Sequence, residues 1–241
     1  MGRHLPSGHR SGLEVYIVSP AVAGRSPSRR GRRYTESNAH LVLPGAPPLR
    51  AFLAVPVGPP AHGLLAAHVE RLRPRVVGVR WVDTATTHIT LHFFAALPLD
   101  RMDGLIEAAG AAAARAQPFT LRLGGLGSFP GGARARVLWI GLAEESAPLA
   151  GLAAVIGAAV ARCGFEVDPR GFRPHVTLGR PTPHFDLGAW RSERAVPVEL
   201  PAFTADQIVL YESRDGHHVR ERLPLGIAAG RRSTRAATPA R

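Results

Sequence analysis

One short pattern occurs twice in this chain, 87 residues apart: His88-Ile89-Thr90-Leu91 and His175-Val176-Thr177-Leu178. Each copy reads His, a β-branched residue, Thr, Leu, which favours extended backbone with successive side chains on opposite faces. In the first copy this alternation puts His88, Thr90 and His92 on one face and directs Ile89, Leu91 and Phe93 to a core. In the second, His175 and Thr177 share a face while Val176 and Leu178 turn inward. A lone His-x-Thr is usually an ordinary surface histidine. Two copies whose inward positions also match demand more: two rigid strands, each displaying one imidazole and one hydroxyl.

The flanking pattern supplies the rest of a fold. Ala51 to Val57 is a short apolar strand ended by Gly58-Pro59-Pro60. Ala61 to Arg73 carries Leu64, Leu65, His68, Val69 and Leu72 at helical spacing and stops at Pro74. Val79 to Val82 and Thr87 to Phe94 read as strands, Asp100 to Gln117 as an Ala-rich helix and Phe119 to Leu126 as a half-exposed strand. After a turn at Gly131-Gly132 come a strand, Arg136 to Leu142, and a helix, Ala147 to Cys163, with Gly164 at its C-terminal cap. Arg173 to Arg180, Val196 to Phe203, Gln207 to Ser213 and His218 to Leu223 complete a strand-rich second half, with a short helix at Leu187 to Arg191. Strict strand–helix–strand alternation is missing. The order predicts an α+β fold of two lobes, two antiparallel sheets forming a central cleft with helices on the outside.

Charge marks the ends of the domain. All 30 basic side chains are arginine, and the formal net charge is +12. Residues 1–49 hold seven Arg against two Glu, and 227–241 hold four Arg and no acid. The expected organisation is a basic, disordered extension over 1–49, a domain over 50–225 and a basic, disordered tail over 226–241. Guanidinium forks suit phosphate, so the basic excess is consistent with a nucleic-acid partner. One cysteine, Cys163, excludes an internal disulfide framework and fits a reducing, cytoplasmic setting. No run of 18 apolar residues occurs, and Glu14 and Pro20 interrupt the Leu13 to Ala23 stretch that a secretory leader would need. The sequence therefore predicts no membrane partner.

Two imidazoles and two hydroxyls facing one groove suit a particular chemistry. In-line displacement at a phosphodiester needs a base for the incoming nucleophile and an acid for the departing oxygen. Histidine serves either role because its unperturbed pKa lies near ~6.5. Hydroxyls can donate to the non-bridging oxygens. No cofactor and no metal is required, and no carboxylate cluster is evident to hold one. His88 and His92 lie too far apart along a strand to share a metal. His217 and His218 sit in a polar turn and read as solvated, while Cys163, Trp81 and Trp139 read as core, with base stacking an alternative for Trp81. Arg136 and Arg180 adjoin the cleft and are candidates for phosphate contact.

The chain resembles the two-histidine phosphoesterases, and within them the LigT-like RNA 2′,3′-cyclic phosphodiesterases, also described as 2′-5′ RNA ligases. The likeness covers about 50–224 and runs through Arg80-Trp81-Val82, Leu123-Gly124-Gly125-Leu126-Gly127-Ser128-Phe129-Pro130 and Phe172-Arg173-Pro174-His175-Val176-Thr177-Leu178-Gly179-Arg180. The resemblance implies opening of RNA 2′,3′-cyclic phosphate ends, tRNA fragments among them, to 2′-phosphomonoesters by a monomer. It assigns His88 as proton donor, His175 as proton acceptor, and Thr90 and Thr177 as phosphate contacts. Where the family often reads Lys-Phe-Leu-Gly after the first motif, this chain has His92-Phe93-Phe94-Ala95. Joining the cyclic end to a 5′-hydroxyl, or gripping RNA ends without turnover, are the alternative readings.

Overall fold

The computed structural model describes residues 47–226. Most of the expected N-terminal extension, the Leu13 to Ala23 stretch and nearly all of the C-terminal tail lie outside the described residues. The elements are β1 (Leu49–Pro56), α1 (Ala61–Leu72), β2 (Val79–Trp81), β3 (His88–Leu97), α2 (Met102–Ala113), β4 (Phe119–Leu121), β5 (Leu123–Phe129), β6 (Val137–Leu142), α3 (Ala147–Arg162), β7 (Val176–Pro181), α4 (Leu187–Ala195), β8 (Phe203–Ala205), β9 (Gln207–Ser213) and β10 (His217–Pro224). The larger sheet runs β10-β9-β1-β3-β7-β6-β5, with β2 also on β7, and β4 and β8 form a two-stranded sheet. Every pairing is antiparallel. The expected α+β class with antiparallel sheets holds.

The larger sheet has two halves, β10-β9-β1-β3 and β5-β6-β7 with β2. They join where β3 meets β7, at the register pair Ile89–Val176. Ile89, Val176, Leu53, Val55, Leu178 and Ile140 belong to the main core on one side of the sheet. Phe52, Ala54, Val209 and Tyr211 form a small separate cluster on the other side. β1 is therefore buried on both faces, which accounts for its unbroken apolar run.

Local chemistry sets the helix limits. Ser146 Oγ accepts the Leu149 N–H at 3.3 Å to open α3, and Gly164 closes it at φ +72. Asp186 opens α4 in the same way through the Ala189 N–H at 2.9 Å.

Two expected strands come out differently. Phe119 to Leu126 is not one strand: at Arg122 the chain leaves β4, which pairs with β8, and enters β5, which pairs with β6. Val196 to Phe203 is mostly irregular, with one bridge between Glu199 and Gly124. Pro197 and Pro201 have no N–H to give a ladder, so strand pairing starts only at Phe203.

Candidate active site

The Ile89–Val176 pair is the pivot of the site. Both side chains are buried on the core side, so the alternation of each strand sends His88, Thr90, His175 and Thr177 to the opposite, open face. Carried one position either way, the antiparallel register sets His88 across from Thr177 and Thr90 across from His175. The two histidines then occupy diagonal positions, about 7–8 Å apart on such a ladder. The structure thus brings together all four predicted residues.

Both rings are held identically. His88 Nδ1 lies 2.7 Å from the Thr86 carbonyl, and His175 Nδ1 lies 2.7 Å from the Arg173 carbonyl. A carbonyl can only accept, so each Nδ1 carries the hydrogen and each Nε2 is left to exchange a proton. Burial pushes the His88 pKa down to about 4, with smaller contributions from His217 and His175. Burial also lowers His175, against the opposing effect of the Arg173 carbonyl. The carbonyls favour the charged form in both cases and lose to desolvation.

The surroundings of the two rings differ. Phe52 stacks on His88 with centroids 4.5 Å apart and 25° between planes, and Tyr211 stacks on Phe52 at 5.0 Å. His217 stands edge-on to both Phe52 and His88, at 4.9 and 5.1 Å, and its Nδ1 is 3.2 Å from Thr86 Oγ1. His175 instead meets the edge of Phe129 at 5.0 Å, and Trp139 lies 6.4 Å away. Trp139 pairs with Thr177 on one side and Gly127 on the other, which puts its ring on the open face. The indole covers Gly127 so closely that a Cβ there would sit 2.1 Å from it.

Several sequence expectations need correction on this geometry. Trp139 is half-buried on the site face, not a core residue, because its register partner Thr177 faces outward. His217 begins β10 and packs into the site; it reads as a solvated turn residue only until the β9–β10 hairpin brings it back against Phe52. His92 does not share the face of His88. A register shift between Leu53–His92 and Ala54–Thr90 absorbs one residue of β3 and reverses the alternation. His92 is buried, 4.6 Å from Phe94, while Phe93 is exposed beneath Arg50. Cys163 is half-buried at the end of α3 rather than in the core. Arg136 and Arg180 both stand outside the core, and Arg180 borders a cavity that also includes Trp81 and His217. Among the residues that sequence reasoning missed, Phe129 lies inside the stretch that carries the family likeness, while Phe52 and Tyr211 sit in apolar runs that do not set them apart.

Among the described residues, no helix is long and apolar enough to cross a membrane. The family model described as the 2′-5′ RNA ligase superfamily matches residues 61–217. The chain is 32% identical to the RNA 2′,3′-cyclic phosphodiesterase of Geobacillus stearothermophilus over 170 residues, 67% of this chain and 51% of that protein. It is 31% identical to the enzyme of the same name from Archaeoglobus fulgidus over 132 residues, 55% of this chain and 72% of that one. The chain spans about half the length of the Geobacillus and Aquifex aeolicus relatives that it matches. A crystal structure from Thermus thermophilus superposes with TM-score 0.61 at 23% identity, over 74% of this chain and 98% of that one. Apo LigT of E. coli does so at 0.59 and 24%, over 75% and 99%. These two likenesses show the fold. With a family model that takes in well over half of the sequence, the chain belongs to the 2′-5′ RNA ligase superfamily.

Proposed function

We propose that the open face between β3 and β7 hydrolyses RNA 2′,3′-cyclic phosphate ends to 2′-phosphomonoesters. His175 takes a proton from the attacking water as its oxygen bonds to phosphorus. His88 gives a proton to the 3′-oxygen as the P–O3′ bond breaks, and the phosphate stays on O2′. Thr90 and Thr177 hydroxyls donate to the non-bridging oxygens. The observation that carries this reading is the matched pair of imidazoles, each with Nδ1 tied to a carbonyl and Nε2 free, on diagonal positions of one ladder. The names of the relatives support the substrate class.

The low pKa of His88 bears on its role. A pKa of about 4 leaves His88 neutral near pH 7 in the free protein, so it must gain a proton before it can donate one. A phosphodiester anion set between the rings favours the charged form and raises that pKa. Substrate binding then loads the acid. Metal has no part in these steps, which need only the two rings and the hydroxyls.

The decisive experiment incubates a short RNA ending in 2′,3′-cyclic phosphate with purified protein and a chelator, then locates the product phosphate. A 2′-phosphomonoester formed by the native chain and not by His88→Ala or His175→Ala is the expected result. A 3′-phosphate, or activity that persists in either variant, overturns the assignment. The superfamily's description favours a second use of the same face, in which a 5′-hydroxyl replaces water and a 2′-5′ bond forms. Adding a 5′-hydroxyl RNA fragment to the assay distinguishes the two.

A further inference from the structure

The chain enters its two histidine motifs differently. Each histidine gives its Nδ1 hydrogen to the carbonyl two residues earlier, so the aim of each ring depends on how firmly that carbonyl is held. Before His175 the intervening residue is Pro174, whose ring fixes its own φ and keeps Arg173 extended. Before His88 the intervening residue is Thr87, which carries no such restriction.

Side chains from distant parts of the sequence do the holding there. Thr84–Thr86 forms a single 3₁₀ turn, opened by Asp83, whose Oδ1 accepts the Ala85 N–H at 2.9 Å. His62 of α1 donates through Nε2 to the Thr84 carbonyl at 2.7 Å and fastens the far end of the turn. His217 of β10 fastens the near end. Its Nδ1 pairs with Thr86 Oγ1 at 3.2 Å, on the same residue whose carbonyl holds His88. The His217 ring also stands edge-on to His88 at 5.1 Å and to Phe52 at 4.9 Å, while Phe52 stacks on His88. His217 therefore meets His88 twice, through its ring edge and through the residue that anchors it.

We infer that His217 is a positioning residue for His88: by holding Thr86 it keeps the His88 Nδ1 hydrogen on the Thr86 carbonyl and turns Nε2 to the open face. The inference rests on the function proposed above, in which Nε2 of His88 delivers the proton to O3′. It adds a third histidine that works through Thr86 rather than on the phosphate. A shift of about 1 Å in a reacting group can cost on the order of 10²-fold in rate, so the hold on Thr86 matters to turnover.

The test combines turnover of a nucleoside 2′,3′-cyclic monophosphate with the ring-nitrogen NMR signals of His88 near neutral pH. In the native chain those signals should show the Nδ1–H tautomer alone. His217→Phe keeps an aromatic ring against Phe52 but has no polar atom for Thr86. It should lower kcat at least about tenfold with KM within about twofold, and it should mix the two tautomers. His217→Asn sets an amide close to the position of Nδ1 and should recover most of the kcat and the single tautomer. Thr86→Val, which keeps the carbonyl and loses the hydroxyl, should match His217→Phe. The double variant should be no worse than either, since both cut one link. If His217→Phe does not fold, Thr86→Val carries the same comparison. Native kcat in His217→Phe or Thr86→Val, losses that multiply in the double variant, or a lower kcat with the His88 tautomer unchanged overturns the positioning role. If the native chain turns over no cyclic phosphate, the proposed function fails, and the NMR signals still decide the role of His217. Mixed tautomers in the variants then support it, and an unchanged single tautomer overturns it.

Discussion

His88 and His175 make the same hydrogen bond to the carbonyl two residues earlier, yet they stand in different company. His88 lies under Phe52 with Tyr211 and His217 close by, and its pKa falls to about 4. His175 meets the edge of Phe129, with Trp139 beyond, and falls less. Backbone symmetry fixes which atom of each ring exchanges a proton; packing decides how readily it does so. On the proposed function, one motif used twice would supply both an acid and a base, because each half gives its ring different neighbours.

The largest effect that could break this comparison is on turnover. His88→Ala and His175→Ala should each lower kcat on the order of 10²–10⁴-fold, the usual contribution of a proton-transfer group. A tenfold or smaller loss in one of them would show that only one half is catalytic. Next comes stability against pH. A folded-state pKa near 4 against ~6.5 in the unfolded chain means that the unfolded state binds the proton first as pH falls. The His88 contribution is present above pH ~6.5 and is lost between there and about pH 4, up to roughly 3 kcal/mol. Chemical denaturation across that window should show a drop that His88→Gln flattens.

Gly127→Ala sharpens the comparison from the other side. It forces Trp139 off its seat and should destabilise by about 1–3 kcal/mol, in melting and denaturant curves alike. It should also alter the His175 titration seen by NMR while leaving that of His88 in place. The smallest effect is proton uptake. Binding of a non-hydrolysable cyclic phosphate analogue at pH 7 should take up a fraction of a proton, read by calorimetry in buffers of different ionisation enthalpy. No uptake would separate His88 from the donor role.

Much of this is legible in the chain itself, for identifiable reasons. The four motif residues follow from period-two alternation next to β-branched neighbours, which the fold keeps at Ile89 and Val176. His92 departs from that alternation because a bulge adds one residue to β3 and leaves no mark in composition. His217 escapes sequence reasoning because its partners, Phe52 and Thr86, lie more than 100 residues away, and only the β9–β10 hairpin brings them together. Val196 to Phe203 carries its own warning in Pro197 and Pro201. Trp139 can be placed by pairing it with a glycine on the adjacent strand, but that register exists only once β5 and β6 are aligned.

The strand order has a further consequence. β2 precedes the first motif in sequence but completes the sheet half of the second, while β9 and β10 come last and complete the half of the first. Neither motif can be excised with its own sheet intact. Cutting the chain between them would strip β1 of its β9 neighbour and β7 of β2, leaving raw edges prone to intermolecular association. The two imidazoles should therefore melt together, in one transition, with the gap between them kept by the shared sheet rather than by a linker.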